Sequence, residues 1–277
     1  MVLERFLELK SIENRSYLVF FLSIFYVFFG YVISKIFFGG TVSVAMLFLC
    51  TLLLVPSLIN LLRKEEIAER TFGLKHFFST HRKIVLLYFF VFLGIFGGYL
   101  ALGSMTPLET TFEFQLDYLT FQQGVGPETL TAFKQGELGS SMQHFFGILF
   151  SNLEVLLLCF ILSVFYGAGA IFLIVLNASI FASFILYLLR HFTDLTNFGM
   201  FFLFYMVHLI PEIAGFLLAA LAGGVLSVAI MREKFLGIHF QNVTKDAFLL
   251  LLLAILLIVL GAFLEVFVTR NVLHAIL

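Results

Sequence analysis

The chain has 277 residues, of which 61% are hydrophobic and 12% charged, and its mean hydropathy is +1.09. Soluble domains carry about 25% charged residues, so the composition excludes a soluble globular protein and describes a polytopic integral membrane protein whose first partner is the lipid bilayer. A net charge of −1 excludes the basic surface of a nucleic-acid-binding protein.

Residues 1–15 set Arg5, Lys10 and Arg15 against Leu3, Phe6 and Leu7, the pattern of a short helix lying on a membrane surface. The apolar run Tyr17–Phe38 is too long for the core of a signal peptide and lacks a small-x-small cleavage site, so it reads as span 1. Gly39 and Gly40 turn the chain into span 2, Val42–Leu62, where Pro56 predicts a kink. A basic connector, 63–83, holds Arg63, Lys64, Arg70, Lys75, Arg82 and Lys83. Span 3 is Ile84–Gly103, which completes an N-terminal three-span part, residues 1–103.

Residues 104–144 form an acidic connector, with Glu109, Glu113, Asp117, Glu128 and Glu137 against Lys134 alone. Its spaced apolar residues predict short amphipathic interfacial helices broken at Gly124–Pro127. The C-terminal part, 145–277, opens on a long uncharged stretch, Val155–Leu189. As one straight helix it would run about 52 Å, against a hydrocarbon core of about 30 Å. A turn at Tyr166–Ala170 therefore divides span 4, Phe145–Phe165, from span 5, Ala170–Leu189; a re-entrant pair is the rival reading. Arg190–Asn197 is a polar loop, Phe201–Met231 is span 6, and Ala247–Val268 is span 7. The fold class is all-α: a single transmembrane helical bundle of about seven spans, its sixth broken or kinked.

Basic residues concentrate on the cytoplasmic side of membrane proteins. With the N-terminus inside, seven spans place twelve of the sixteen basic residues there, leaving Lys35, Lys134, Arg190 and Arg270 outside. The expected localisation is the plasma membrane, with a cytoplasmic N-terminus and an extracytoplasmic C-terminus. Cys50 and Cys159 lie in apolar runs with no C-x-x-C and read as buried apolar residues.

Span 6 carries the unusual chemistry. His208, Pro211 and Glu212 interrupt an otherwise apolar stretch. An ionisable group at bilayer depth costs roughly 2.5–3.5 kcal/mol on insertion scales, so it faces protein or water. Pro211 lacks an N–H and leaves the carbonyl of Val207 without its helical donor, so a helix break is expected there. At about 100° per residue, Tyr205, His208, Glu212, Gly215, Ala219, Ala222 and Gly223 share one stripe. Small residues, with Gly224, Gly167 and Gly169, predict close helix packing, and the polar ones predict bonds across helices. Asn152, Glu154, Asn177 and Glu265 complete the intramembrane polar set. Asn177 lies mid-span, whereas Asn152, Glu154 and Glu265 read as close to outer span ends. His208 and Glu212 are either a structural pair or a site; with Glu265 they are weak candidates for a metal set. No catalytic motif, nucleotide-binding loop or cofactor signature is present, so an enzyme is not expected.

At SNLEVLLLCFILSVFYGAGAIFLIVLNASIFAS (151–183), HLIPEIAGFLLAALAGGVLS (208–227) and LEVFVT (264–269), the sequence resembles the integral membrane proteins related to stage II sporulation protein M, in their archaeal form. Asn152, Asn177, His208, Glu212, Gly223 and Gly224 match the family pattern; Ala178 and Leu209 depart from it. The resemblance implies a multi-spanning membrane protein. In sporulating bacteria the namesake belongs to a membrane complex with a peptidoglycan hydrolase, which implies a scaffold role, and relatives are suspected of working beside transport systems. The expected function is a non-catalytic scaffold or accessory subunit, assembled as a homo-oligomer or with another membrane protein. The alternative is a transporter or channel component that moves a proton, metal ion or small solute past His208 and Glu212. A metal-dependent intramembrane hydrolase is the third choice. A cytoplasm-active reporter fused to the C-terminus is expected to stay silent; a strong signal contradicts the seven-span orientation.

Overall fold

The computed structural model describes residues 17–72, 77–123, 142–166, 169–191, 195–232 and 237–269. Among these residues every regular element is helical: α1 (Tyr17–Phe37), α2 (Val42–Phe72), α3 (Phe77–Met105), α4 (Leu108–Thr111), α5 (Glu113–Gln123), α6 (Met142–Phe165), α7 (Gly169–His191), α8 (Leu195–Arg232) and α9 (Ile238–Phe263), with a π-helical turn at Leu264–Thr269. Six stretches are long and apolar enough to cross a membrane: Tyr17–Phe37, Val85–Met105, Met142–Phe165, Ile171–Arg190, Tyr205–Met231 and Ile238–Thr269. Val42–Pro56 is a shorter apolar seventh. The protein is thus a helical membrane bundle of about seven spans. The expected surface helix at 1–15, the break at Gly124–Pro127, and Gly167 lie outside the described residues.

The long uncharged stretch resolves into two helices. α6 and α7 have 24 and 23 residues, about 36 and 34 Å at 1.5 Å per residue, so each is long enough for a full crossing. Between them Tyr166 N–H donates to Leu162 O (2.8 Å) and Gly169 N–H to Tyr166 O (2.6 Å). A Cβ on Gly169 would lie 2.7 Å from Leu162 O, so the turn requires glycine there. At the far end Arg190 pairs with Glu109 at 3.3 Å and also donates to Thr106 O. The C-terminal ends of α3 and α7 therefore lie on one side, as two crossings between them demand.

One expectation about proline is corrected. The helix break at Pro211 is absent: α8 runs through it as one 38-residue helix. α2 likewise continues through Pro56 to Phe72, so much of the basic connector is helical. A proline removes one helical bond, but α8 packs extensively on α9 and α6, and tertiary packing overrides a local breaker. The polar residues before span 7 are helical as well, because α9 starts at Ile238.

Two pairs of helices are fastened by the same device. In α1, FFLSIFY (20–26) meets α3, where a Cβ on Gly94 would lie 2.5 Å from Phe20 O and 2.7 Å from Ser23 Cβ. In α6, FILSVFY (160–166) meets α8, where a Cβ on Gly223 would overlap Phe160 O and lie 2.7 Å from Ser163 Cβ. Backbones approach this closely only where one helix offers glycine. The aromatic side chains Tyr26, Tyr88, Tyr99 and Phe112 then fill the core between α1, α2, α3 and α7.

Gly223→Ala and Gly94→Ala are expected to destabilise the fold by about 1–3 kcal/mol each, the cost of overpacking. Gly39→Ala meets open space and is expected to change nothing. Apparent melting temperatures in detergent check this; equal values for all three variants contradict it.

Candidate functional site

The polar stripe of α8 is turned inward. His208 is 2% exposed and Glu212 6%, while Ile210, between them, is 59% exposed. This is the helical period at work: residues four apart share a face, and the residue between them faces away.

Each buried polar group meets a partner on another helix. The Nδ2 amide of Asn152 on α6 donates to Oε1 of Glu212 at 2.9 Å. Nδ1 of His208 stands 3.1 Å from Oγ1 of Thr269. The His208 ring lies edge-on to Tyr205, centroids 4.5 Å apart, and Tyr205 lies 4.9 Å from Phe184 of α7. Glu265 stands close enough to Glu212 and Tyr205 for their charges to interact. A lone amide or carboxyl inside an apolar medium costs several kcal/mol. Pairing across α6, α8 and α9 offsets that cost and ties three helices together.

Two features of α9 make room for the cluster. A Cβ on Gly261 would overlap Cγ of Glu212 and lie 3.2 Å from its Oε1, so glycine leaves the notch that the Glu212 side chain fills. The helix then widens into the π-helical turn Leu264–Thr269. Such turns are rare and recur at functional sites. This one carries Glu265 and Thr269 on the side that meets α8. Sequence reasoning named Glu265 but missed Thr269 and Gly261. The run LEVFVT coincides with the π-helical turn, but its composition carries no signal for that geometry.

The expected site residues do not all converge. Asn152, His208, Glu212 and Glu265 belong to one neighbourhood. Asn177 is engaged elsewhere, its Nδ2 4.0 Å from Cys159 Sγ. It lines a cavity of about 10 Å³ with Phe92, Cys159, Ile213 and Phe216, room for about one water. Cys159 lies two turns along α6 from Asn152, about 10 Å along the axis. Both cysteines are buried and free. Among the described residues, no three His, Cys, Asp or Glu side chains stand together so as to hold a metal ion. The weak metal candidates His208, Glu212 and Glu265 do not form such a group; Glu212 accepts from Asn152 and His208 stands beside Thr269.

The packing residues are consumed inside the chain. A Cβ on Gly215 would lie 3.0 Å from Ala254 O of α9. Ala219 is fully buried, Gly223 meets α6, and Gly224 is buried. The small-residue face of α8 therefore packs within one chain and is not a surface for a second one. Glu154 is exposed and stands twelve residues from Met142 and eleven from Phe165, and Asn152 stands ten residues from Met142, so both lie farther inside the helix than the expected span end.

Residues 85–270 match the sequence model of the Stage II sporulation protein M family. The chain belongs to that family. The match reaches from α3 to the π-helical turn, so it takes in α3 as well as the stretches that first suggested the family. No curated protein and no solved structure matches the chain.

Asn152→Ala is expected to cost about 1–3 kcal/mol, the range for leaving a buried hydrogen-bonding group unpaired. In a double-mutant cycle with Glu212→Leu, the two losses are expected to fall short of additivity by at least about 0.5 kcal/mol. Strict additivity contradicts a direct bond between the two side chains.

Proposed function

We propose that this family member is a non-catalytic, multi-pass scaffold or accessory subunit of a membrane complex. The observation that carries the reading is how the polar groups of α8 are used. His208 and Glu212 are almost inaccessible, and their partners come from α6 and α9 of the same chain. Groups used in this way fix helix positions, whereas a catalytic or transport site leaves a route for its substrate. The clustering of basic residues supports a plasma-membrane protein with its N-terminus in the cytoplasm.

A second reading, a transporter or channel component, is favoured by one specific feature. The buried carboxyl of Glu212 stands beside the half-buried Glu265, on a helix where Pro211 removes the helical donor to the Val207 carbonyl. Transporters place their sites in comparable surroundings.

Chemical crosslinking of the tagged full-length chain in native membranes tests the first reading. Recovery of a homo-oligomer or of a reproducible membrane-protein partner is expected; recovery of the chain only as an unpartnered monomer contradicts it. Flux assays in liposomes test the second. The scaffold reading predicts no flux in wild type or Glu212→Gln, and flux abolished by Glu212→Gln would establish the transport reading.

A further inference from the structure

We infer that the outward face of α6 is where this chain binds a second copy of itself, through Ser151 and Glu154. The inference deepens the scaffold reading by naming one partner, and it rests on that reading only for the purpose of the assembly.

α6 is the least buried of the six apolar helices long enough to cross a membrane. One side of it is occupied: Leu156, Cys159 and Ser163 are buried, and Asn152 bonds to Glu212. The opposite side carries Gly147, Ser151, Glu154 and Leu158, all exposed. At about 100° per residue these four fall within an arc of about 60°. Nothing would meet a Cβ on Gly147. Glu154 lies about 17–18 Å along the axis from either end of the helix. A carboxylate at that depth nearly always faces protein or water, yet Glu154 has no partner among the described residues. The Ser151 hydroxyl likewise donates to no group among them.

The stripe is self-complementary. Gly147 and Ser151, four residues apart, are the small-x-x-x-small spacing that lets two membrane helices approach closely. Ser151 supplies a donor, and Glu154, three residues on, an acceptor, neither of them used among the described residues. In a parallel pair about a twofold axis normal to the membrane, each hydroxyl donates to the carboxylate of the other copy. The same contact is made twice, as an isologous interface requires. A partner of different sequence would have to supply its own donor at this depth, whereas the second copy already carries one in register.

Single cysteines placed in the full-length chain and oxidised in native membranes test this. The native Cys50 and Cys159 are buried and serve as silent background. Leu158→Cys, on the stripe, is expected to give at least about fivefold more dimer than Phe146→Cys. Phe146 is comparably exposed but lies about 120° around the helix. Adding Glu154→Leu to Leu158→Cys is expected to lower the dimer at least about fivefold, whereas Glu154→Gln, which keeps an acceptor, retains it. Unchanged apparent melting temperatures show that the variants fold. Equal dimer at both positions, indifference to Glu154→Leu, or crosslinks to a different protein alone would overturn the inference. Capture of another membrane protein without dimer overturns the dimer and leaves the scaffold reading standing. Dimer without any further partner upholds the inference and makes the assembly a homo-oligomer.

Discussion

The bond from Asn152 to Glu212 shows the constraint on which the rest of the bundle depends. Hydrocarbon offers no hydrogen bonds, so a polar group carried into it must bring its partner along. Glu212 finds an amide on α6, a notch at Gly261 on α9, and a neighbouring carboxyl on the π-helical turn. Those partners fix how α6, α8 and α9 stand against one another. His208 and Thr269 fix the same arrangement one turn away. Helices in lipid gain little from the hydrophobic effect, so these interhelical bonds carry part of the association.

Close packing supplies the rest. Gly94 against Ser23 and Gly223 against Ser163 bring two helix pairs to near backbone contact. Those contacts are made by the parallel segments FFLSIFY and FILSVFY, one in each half of the chain. The polar ties between α6, α8 and α9 are confined to the second half. That half lies wholly within the stretch matched to the family, except for its last residues.

Much of this was legible in the sequence because membrane burial leaves a strong signature. Length and apolarity located the spans, and the turn at Tyr166–Ala170 followed from helix length alone. The inward direction of His208 and Glu212 followed from the cost of an ionisable group in lipid. What was not legible depended on tertiary contacts. Pro211 marks a break by local rules, but α8 continues as a helix through it, packed on α9 and α6. Gly261 is one glycine among twenty-one, and only the approach of Glu212 shows why it is there. The π-helical turn adds one residue to a helical loop and has no compositional mark. Asn152 and Glu154, two residues apart, face opposite sides of α6, so one bonds to Glu212 and the other is exposed.

The inner side of α6 is taken up by α8, and the outer side presents, among the described residues, a donor and an acceptor without partners. Solid-state NMR on isotopically labelled protein in lipid bilayers probes the inner contact most directly. The account predicts a through-space correlation between the Asn152 side-chain nitrogen and the Glu212 carboxyl carbon. Resolved resonances for both groups with no correlation between them would contradict it.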